Sequence, residues 1–294
     1  MARNTIRDWI QASRPPFFIA TLIPLAAGWI VAGRLGLWHP WRMFMVLVGA
    51  FMVHLATNLA NDFFDHIQGA DEGRSIGGSR VIQQGKISPN RIMTVVVVLY
   101  VLAISIGLYF VFGLDLWGLL PLIVIAGFSS YFYVAPPVRY GYRGLGELSV
   151  GVNMGLIMVM GTYWVIAGRI DLLPLFVSIP IGFMVASILY YQSLPDMETD
   201  RAAGKYTLAV RLGKRNAYFG FILFWIVIYL SIMTLVLTGC LSWIALLSLV
   251  TVPILQRLLY IIRETKEWIE LDRYGGYIRS LYFLNGGLIL GALL

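Results

Sequence analysis

Apolar residues run through this chain in nine stretches, at roughly 16–33, 42–61, 92–113, 116–134, 148–168, 174–194, 216–238, 241–262 and 278–294, broken by short polar or Gly/Pro-containing segments. Stretches of about twenty residues, with few charges inside them and no strand-like alternation, predict transmembrane helices. Lipid offers backbone amides no partner, so each stretch must close its hydrogen bonds internally. The gaps Gly113-Leu-Asp115 and Thr238-Gly-Cys240 are short enough to make tight helical hairpins. No linker or low-complexity segment interrupts the pattern. The fold expected is therefore all-α and polytopic: one domain over 1–294, a bundle of nine transmembrane helices around a central cavity.

Composition agrees with the pattern. The 294 residues are 59% hydrophobic and only 13% charged, which places the chain among membrane proteins and leaves no basic soluble surface for nucleic acid. The single cysteine, Cys240, rules out an internal disulfide and a multi-cysteine metal site. No signal peptide with a cleavage site precedes the first stretch, which is expected to remain in the mature chain. The net charge of +7 matters less than where it sits. Of the 22 Lys and Arg residues, only Arg34, Arg42 and Arg169 fall in loops on one side of a nine-span arrangement. The others, including Arg3, Arg7, Arg14, Arg74 and Arg80, gather on the opposite side. That asymmetry predicts a cytoplasmic N-terminus and a cavity open to the cytoplasmic side.

Two acidic clusters then lie at that face. The first is Asn58-Leu-Ala-Asn61-Asp62-Phe-Phe-Asp65, followed by Asp71 and Glu72; the second is Asp196-Met-Glu198-Thr-Asp200. Asn58, Asp62 and Asp65, spaced by four and three, share one helix face, as do Asn61 and Asp65. Asp196 and Asp200 repeat the one-turn spacing at the end of the sixth stretch. The second and sixth stretches run in the same direction, which suggests two similar halves related by rotation about the membrane normal. Ionised carboxylates this close repel, and a divalent cation resolves the conflict; an oxygen-only set suits Mg²⁺. Asp62, Asp65, Asp196 and Asp200 are the expected metal ligands. Gly69 permits a turn that returns Asp71 toward them.

Mg²⁺ usually shares its coordination with phosphate, so two carboxylate faces imply a diphosphate between them. Arg74, Arg80 and Lys86 follow the first cluster, and Arg201, Lys205 and Arg211 follow the second; an arginine fork suits phosphate oxygens, although the same charges would also satisfy a topology rule. A diphosphate at a membrane surface with its tail in lipid describes a polyprenyl diphosphate. Phe63, Phe64, Tyr131, Tyr133, Tyr163, Trp164, Tyr190 and Tyr191 could stabilise an allylic cation or simply form an interfacial belt. His54 lies one turn before Asn58 and is read as a bundle hydrogen-bonding residue.

At these residues the chain resembles the UbiA superfamily of intramembrane prenyltransferases, through Asn61-Asp62-Phe-Phe-Asp65 and Asp196-Met-Glu-Thr-Asp200. The third aspartate of the general pattern is replaced by Gly69, with Asp71 following instead. That variant is similar to the branch that prenylates 1,4-dihydroxy-2-naphthoate. Ala12-Ser-Arg14-Pro15, Gly77-Gly-Ser-Arg80, Gly141-Tyr-Arg143-Gly-Leu-Gly-Glu147, Met160-Gly-Thr162-Tyr163 and the run from Asp200 through Lys205 to Arg211 also resemble that branch, and the resemblance fades after about residue 215. Pro195 departs from the form expected and leaves the local helix ending open.

The resemblance implies Mg²⁺-dependent transfer from a polyprenyl diphosphate to an aromatic acceptor, in the plasma membrane of a prokaryote. Asp62, Asp65, Asp71, Asp196 and Asp200 would be catalytic, and Asn58, Asn61, Arg80, Arg143, Tyr163, Lys205 and Arg211 would bind substrate. Asp71 or Glu72 would deprotonate the acceptor or support the metal, and Arg143 with Glu147 would shape the acceptor pocket or form an interhelical ion pair. Three other readings are a transporter, a non-catalytic lipid- or quinone-binding protein, and a related prenyltransferase with another aromatic or lipid acceptor. Carboxylates at one face of parallel spans fit a transporter poorly, since transporters place them near the midplane. Complete acid motifs argue against lost catalysis. Oligomeric state is not encoded in any of these features.

Overall fold

The computed structural model describes residues 4–71 and 75–294. Arg3, Glu72 and Arg74 lie outside the described residues. The described residues hold twelve α-helices and no strand. An interfacial helix α1 (Ile6–Ser13) precedes α2 (Ile19–Gly33), α3 (Pro40–Ile67), α4 (Pro89–Leu108) and α5 (Leu119–Phe132). Then come the short α6 (Gly146–Val150), joined through a π-helical stretch to α7 (Met158–Ala167), and α8 (Leu172–Ser193). The short α9 (Met197–Ala202) leads into α10 (Leu208–Leu237), α11 (Val252–Glu264) and α12 (Gly275–Leu293).

Among the described residues six helical segments are long and apolar enough to cross a membrane: Pro40–Ile67, Pro89–Gly113, Gly146–Ala167, Leu172–Ser193, Leu208–Leu237 and Trp243–Glu264. Ile6–Phe17 with Ile19–Gly33 makes a seventh if the pair, bent by 55°, counts as one span. The stretches expected at 116–134 and 278–294 are also helical. However, α5 has only 14 residues, short of a span, and α12 carries Arg279 and Asn285 among its apolar residues. Exposed tryptophans mark one rim of the apolar band. Trp38, Trp41, Trp117 and Trp243 all stand at helix ends opposite the aspartates, where amphipathic rings favour a lipid–water interface.

The centre of the bundle is α8. In its span window 61% of residues are buried, against 22% in α3 and in α4, whose outer faces present Val97, Val98, Val101 and Phe44. Around α8 a continuous core joins Ile23 and Leu25 of α2, Phe221 and Trp225 of α10, and Leu281 and Tyr282 of α12. A second core ties α1 to α3 and α4 through Ala12, Leu59, Val81, Ile87 and Ile92.

Local sequence sets the ends that matter. Pro40 opens α3, where its missing N–H costs nothing. At the other end Gly69 takes φ +74°, and Ala70 N donates to Asp65 O at 2.9 Å. This glycine-terminated cap reverses the chain and carries Asp71 back over the last turn of α3. The second motif differs from expectation. Asp196 and Asp200 are not on the sixth span, because α8 stops at Ser193 and Pro195 removes an amide needed to continue it. Asp196 caps α9 instead, and Asp200 N donates to Asp196 O at 2.7 Å, so the one-turn spacing survives on a separate helix.

Candidate active site

The acidic end of α3 and the start of α9 meet around a polar cavity of about 250 Å³. Asp65 from α3, Asp71 from the returning loop, and Asp196 and Asp200 line it, with Asp62 directly behind. All five aspartates are nearly inaccessible, with exposures of 3% for Asp62, 2% for Asp65, 3% for Asp71, 7% for Asp196 and 4% for Asp200. Burying charge at this density needs compensation, and each carboxylate has a specific partner. Asp62 pairs with Arg14 and accepts from Ser79 Oγ and, at 3.0 Å, from Ser79 N. Asp65 accepts from Tyr142 OH at 2.6 Å and from Lys205 Nζ at 3.2 Å. Lys205 also stands 3.6 Å from Asp200 Oδ1, so one ammonium bridges the two motifs. Asp196 accepts from Ile76 N at 3.0 Å and from Thr199 Oγ1 at 3.3 Å.

The 75–79 segment threads between the motifs, and glycine makes this possible. A Cβ at Gly78, whose φ is +74°, would lie 2.7 Å from Asp71 Oδ2 and 3.2 Å from Asp62 Oδ1. A Cβ at Gly77 would lie 3.3 Å from Asp196 Oδ2 and 3.5 Å from Asp71 Oδ1. Asp62, Asp71 and Asp196 thus converge on one bare stretch of backbone. Arg80 staples that stretch, donating at 2.7 Å to the carbonyls of both Asp71 and Ser75.

The electrostatics follow from burial. Burial, with repulsion from Asp65 and Asp62, pushes the Asp71 carboxyl up to about 7. Asp200 also rises to about 7, chiefly through burial, with Asp196 and Asp65 adding to it against Lys205. Asp196 is raised by burial, against the Ile76 amide. Lys205 is held well above its ordinary value: burial works against its charge, but Asp65 and Asp200 outweigh it. Burial therefore favours the neutral form of Asp71, Asp196 and Asp200.

An apolar cavity of about 390 Å³ adjoins the polar one. Arg14, Asn61, Tyr133, Leu189 and Gln192 line both, so the two form a single site with a charged head and a greasy body. Asn58, His54, Tyr100 and Tyr140 belong to the apolar part. His54 Nδ1 and Thr21 Oγ1 are 2.6 Å apart, a bond within the bundle.

The structure brings Asn58, Asn61, Lys205 and the five aspartates together, but not all the expected binders. Arg80 faces loop carbonyls. Arg143 is exposed and 3.4 Å from Pro137 O, with no ion pair to Glu147 among the described residues. Arg211 is exposed, its Nε donating to Tyr206 O at 3.3 Å. Tyr163 is fully buried with its hydroxyl on Asp171, toward the end remote from the aspartates. The side chains that do meet the aspartates, besides Lys205, include Arg14 and Ser79 on Asp62 and Tyr142 on Asp65. Arg14 sits at the C-cap of α1 with φ 52°, a left-handed conformation that aims it inward just before Pro15. Among the described residues no three His, Cys, Asp or Glu side chains are gathered closely enough to hold a metal ion, and the carboxylates are paired with cations, Asp62 with Arg14 and Asp65 and Asp200 with Lys205.

The sequence profile of the UbiA prenyltransferase family matches residues 21–269. The chain belongs to this family. It is a prenyltransferase and an integral membrane protein. It is 31% identical over 261 residues to the 1,4-dihydroxy-2-naphthoate octaprenyltransferase of Mycobacterium leprae (strain TN), covering 87% of this chain and 86% of that one. The enzyme of the same description from Escherichia coli (strain K12) is 28% identical over 292 residues, covering 95% and 94%. Among solved structures, a UbiA homologue from Archaeoglobus fulgidus bound to DMAPP and Mg²⁺ superposes with a TM-score of 0.65 at 15% identity, over 97% of this chain and 99% of that one. This last likeness establishes the shared fold.

Proposed function

We propose that this prenyltransferase transfers a polyprenyl group from a polyprenyl diphosphate to 1,4-dihydroxy-2-naphthoate, with loss of CO₂, giving demethylmenaquinol. The observation that carries the reading is the joined pair of cavities. A buried cluster of aspartates and cations suits a diphosphate, and the adjoining 390 Å³ apolar space suits a prenyl chain. The naming of the Mycobacterium leprae and Escherichia coli relatives as 1,4-dihydroxy-2-naphthoate octaprenyltransferases supports the acceptor. The nine-span arrangement with a cytoplasmic N-terminus and site belongs to the same proposal, as does a single domain over 1–294.

The donor chemistry fits Mg²⁺. Every candidate ligand is a carboxylate or amide oxygen, and Asn61 Oδ1 is buried with no hydrogen-bond partner among the described residues. Asp62, Asp65, Asp196 and Asp200 would hold the ion, which when bound withdraws charge from the leaving group. Arg14 and Lys205, freed from those carboxylates, steady the diphosphate as negative charge builds on it. The C1–O bond breaks and its electron pair leaves with diphosphate, while the apolar walls keep water from the allylic carbon. Tyr133 and Tyr140 line that cavity, and their rings would stabilise the developing cation. The ring carbon bearing the carboxylate bonds to C1, and release of CO₂ returns an electron pair to the ring. Asp71, whose carboxyl is pushed up to about 7 by burial, takes the acceptor hydroxyl proton as the ring attacks and returns it to the ring oxygen once CO₂ has left, so the product is the neutral quinol. Glu72, the alternative base, lies outside the described residues.

The test is turnover by purified protein in lipid nanodiscs with Mg²⁺, one polyprenyl diphosphate and a panel of acceptors. Stoichiometric CO₂ release with a prenylated naphthoquinol is the expected result. Diphosphate release and product formation only with an acceptor that keeps its carboxyl group would overturn the naphthoate assignment and favour another acceptor.

A further inference from the structure

Among the described residues three cations line the polar cavity: Arg14, Lys205 and Arg279. The first two are held by aspartates, Arg14 by Asp62 and Lys205 by Asp65 and Asp200. The other described basic residues near the motifs are spent on the scaffold: Arg80 on loop carbonyls, Lys86 on Gln11 Oε1, Arg201 on Val210 O and Arg211 on Tyr206 O. Arg279 differs. It lies in the second turn of α12, lines the cavity, and has no hydrogen bond or ion pair among the described residues. Its guanidinium folds back along the helix over Gly275, where a Cβ would lie 3.2 Å from Nη1. Ile278 beside it is buried, and the segment just before α12 is tied to α8 by Tyr191 OH donating to Leu271 O at 2.7 Å. The backbone carrying Arg279 is thus fixed while its guanidinium remains uncommitted.

We infer that Arg279 grips the diphosphate of the prenyl donor from the C-terminal wall of the cavity. The argument rests on the function proposed above. A guanidinium with no hydrogen bond or ion pair among the described residues, in a small cavity it shares with Asp65, Asp71, Glu147, Asp196, Asp200 and Asp272, has charge and a bidentate fork available for an oxyanion. Two oxyanions belong to the reaction, the diphosphate and the carboxylate of the acceptor. The cavity places Arg279 in the same space as Asp65, Asp196 and Asp200, the aspartates assigned to the metal and diphosphate, and it does not line the apolar cavity where the ring would meet C1. The diphosphate is therefore the oxyanion we assign to it.

The experiment compares wild type, Arg279→Gln and Arg279→Lys in nanodiscs. Binding of inorganic pyrophosphate with Mg²⁺ is measured calorimetrically without any acceptor, and KM is measured for each substrate. Loss of charge-assisted hydrogen bonds predicts a pyrophosphate affinity weakened about tenfold to a hundredfold in Arg279→Gln. Arg279→Lys should recover part of that loss, and the acceptor KM should stay unchanged. Gly275→Ala, which displaces the guanidinium without removing it, serves if Arg279→Gln does not fold, and should weaken pyrophosphate in the same direction. A change confined to the acceptor KM would overturn the diphosphate assignment. Wild-type pyrophosphate affinity in folded variants would overturn the site itself. Because pyrophosphate binding needs no naphthoate, failure of the acceptor assignment leaves this test readable.

Discussion

Replacing Lys205 by methionine removes the cation that ties α3 to α9 while keeping much of its aliphatic bulk. The ammonium lies 3.2 Å from Asp65 Oδ2, 3.6 Å from Asp200 Oδ1 and 5.4 Å from the Tyr142 ring centroid. Deleting one partner of a buried ion pair costs about 3–5 kcal/mol, because the orphaned charge remains buried. Here the loss falls at the lower end, about 3 kcal/mol, since Asp200 is already raised to about 7 and escapes by taking a proton. Lys205→Met should therefore melt earlier than wild type without Mg²⁺, by less at pH 6 than at pH 8. Saturating Mg²⁺ should recover most of the difference, since a metal ion replaces the lost positive charge. Catalysis should not recover. Removing one preorganised group from a developing negative charge costs about a hundredfold to a thousandfold in kcat. Thermal unfolding in nanodiscs with and without Mg²⁺, with diphosphate release under saturating substrates, reads all of this. Wild-type melting at both pH values together with wild-type turnover would show that Lys205 neither balances the aspartates nor serves the leaving group.

Other consequences are equally specific. Asp71 and Asp200 carry folded values near 7 against 3.8 for a free carboxyl, so their contribution to metal-free stability is full below the lower value and lost as pH rises through the higher. Of the two, Asp200 is the one assigned to the metal, and Mg²⁺ binds its deprotonated form, so thermal stabilisation by Mg²⁺ should grow from pH 6 to pH 8; a flat response would contradict the assignment of Asp200. Tyr142→Phe deletes the 2.6 Å hydrogen bond to Asp65 Oδ1 and should lower stability by about 1.5–3 kcal/mol, measured by denaturant unfolding in mixed micelles. Gly78→Ala sets a methyl 2.7 Å from Asp71 Oδ2 on a backbone of φ +74°; Mg²⁺ affinity should fall as the 75–79 segment is displaced, and unchanged affinity would show that this segment does not shape the metal site.

Much of the site was legible in the chain, and the reason is local. Carboxylates three or four residues apart share a face wherever a helix forms, so the motifs at Asp62 and Asp196 declared their geometry before any tertiary contact was known. Gly69 likewise announced the reversal that returns Asp71. The cations were harder to place. Which of several loop arginines turns inward depends on backbone states that spacing does not reveal: Arg14 and Arg80 both adopt positive φ, at 52° and 65°, yet one reaches Asp62 and the other only carbonyls. Ala12-Ser-Arg14-Pro15 held the signal for Arg14, but as a topological charge it looked like its neighbours. Tyr142 sat inside a noticed motif whose Arg143 drew attention, although Arg143 points outward. Tyr163 was misplaced because its depth along α7 carries it to the remote end. Arg279 lies where motif resemblance had faded, and only the approach of α12 to α8 shows that it joins the cavity.

The central claim is that Asp62 and Asp196, 134 residues apart in sequence, act together on one diphosphate. Prenyl transfer by purified Asp62→Asn and Asp196→Asn in nanodiscs, at saturating Mg²⁺ and with folding checked by melting, tests it most directly. Each single variant should lose at least about a thousandfold in turnover, and the double variant should lose little more, because the two act as a unit. Near-wild-type turnover in both single variants would contradict the account.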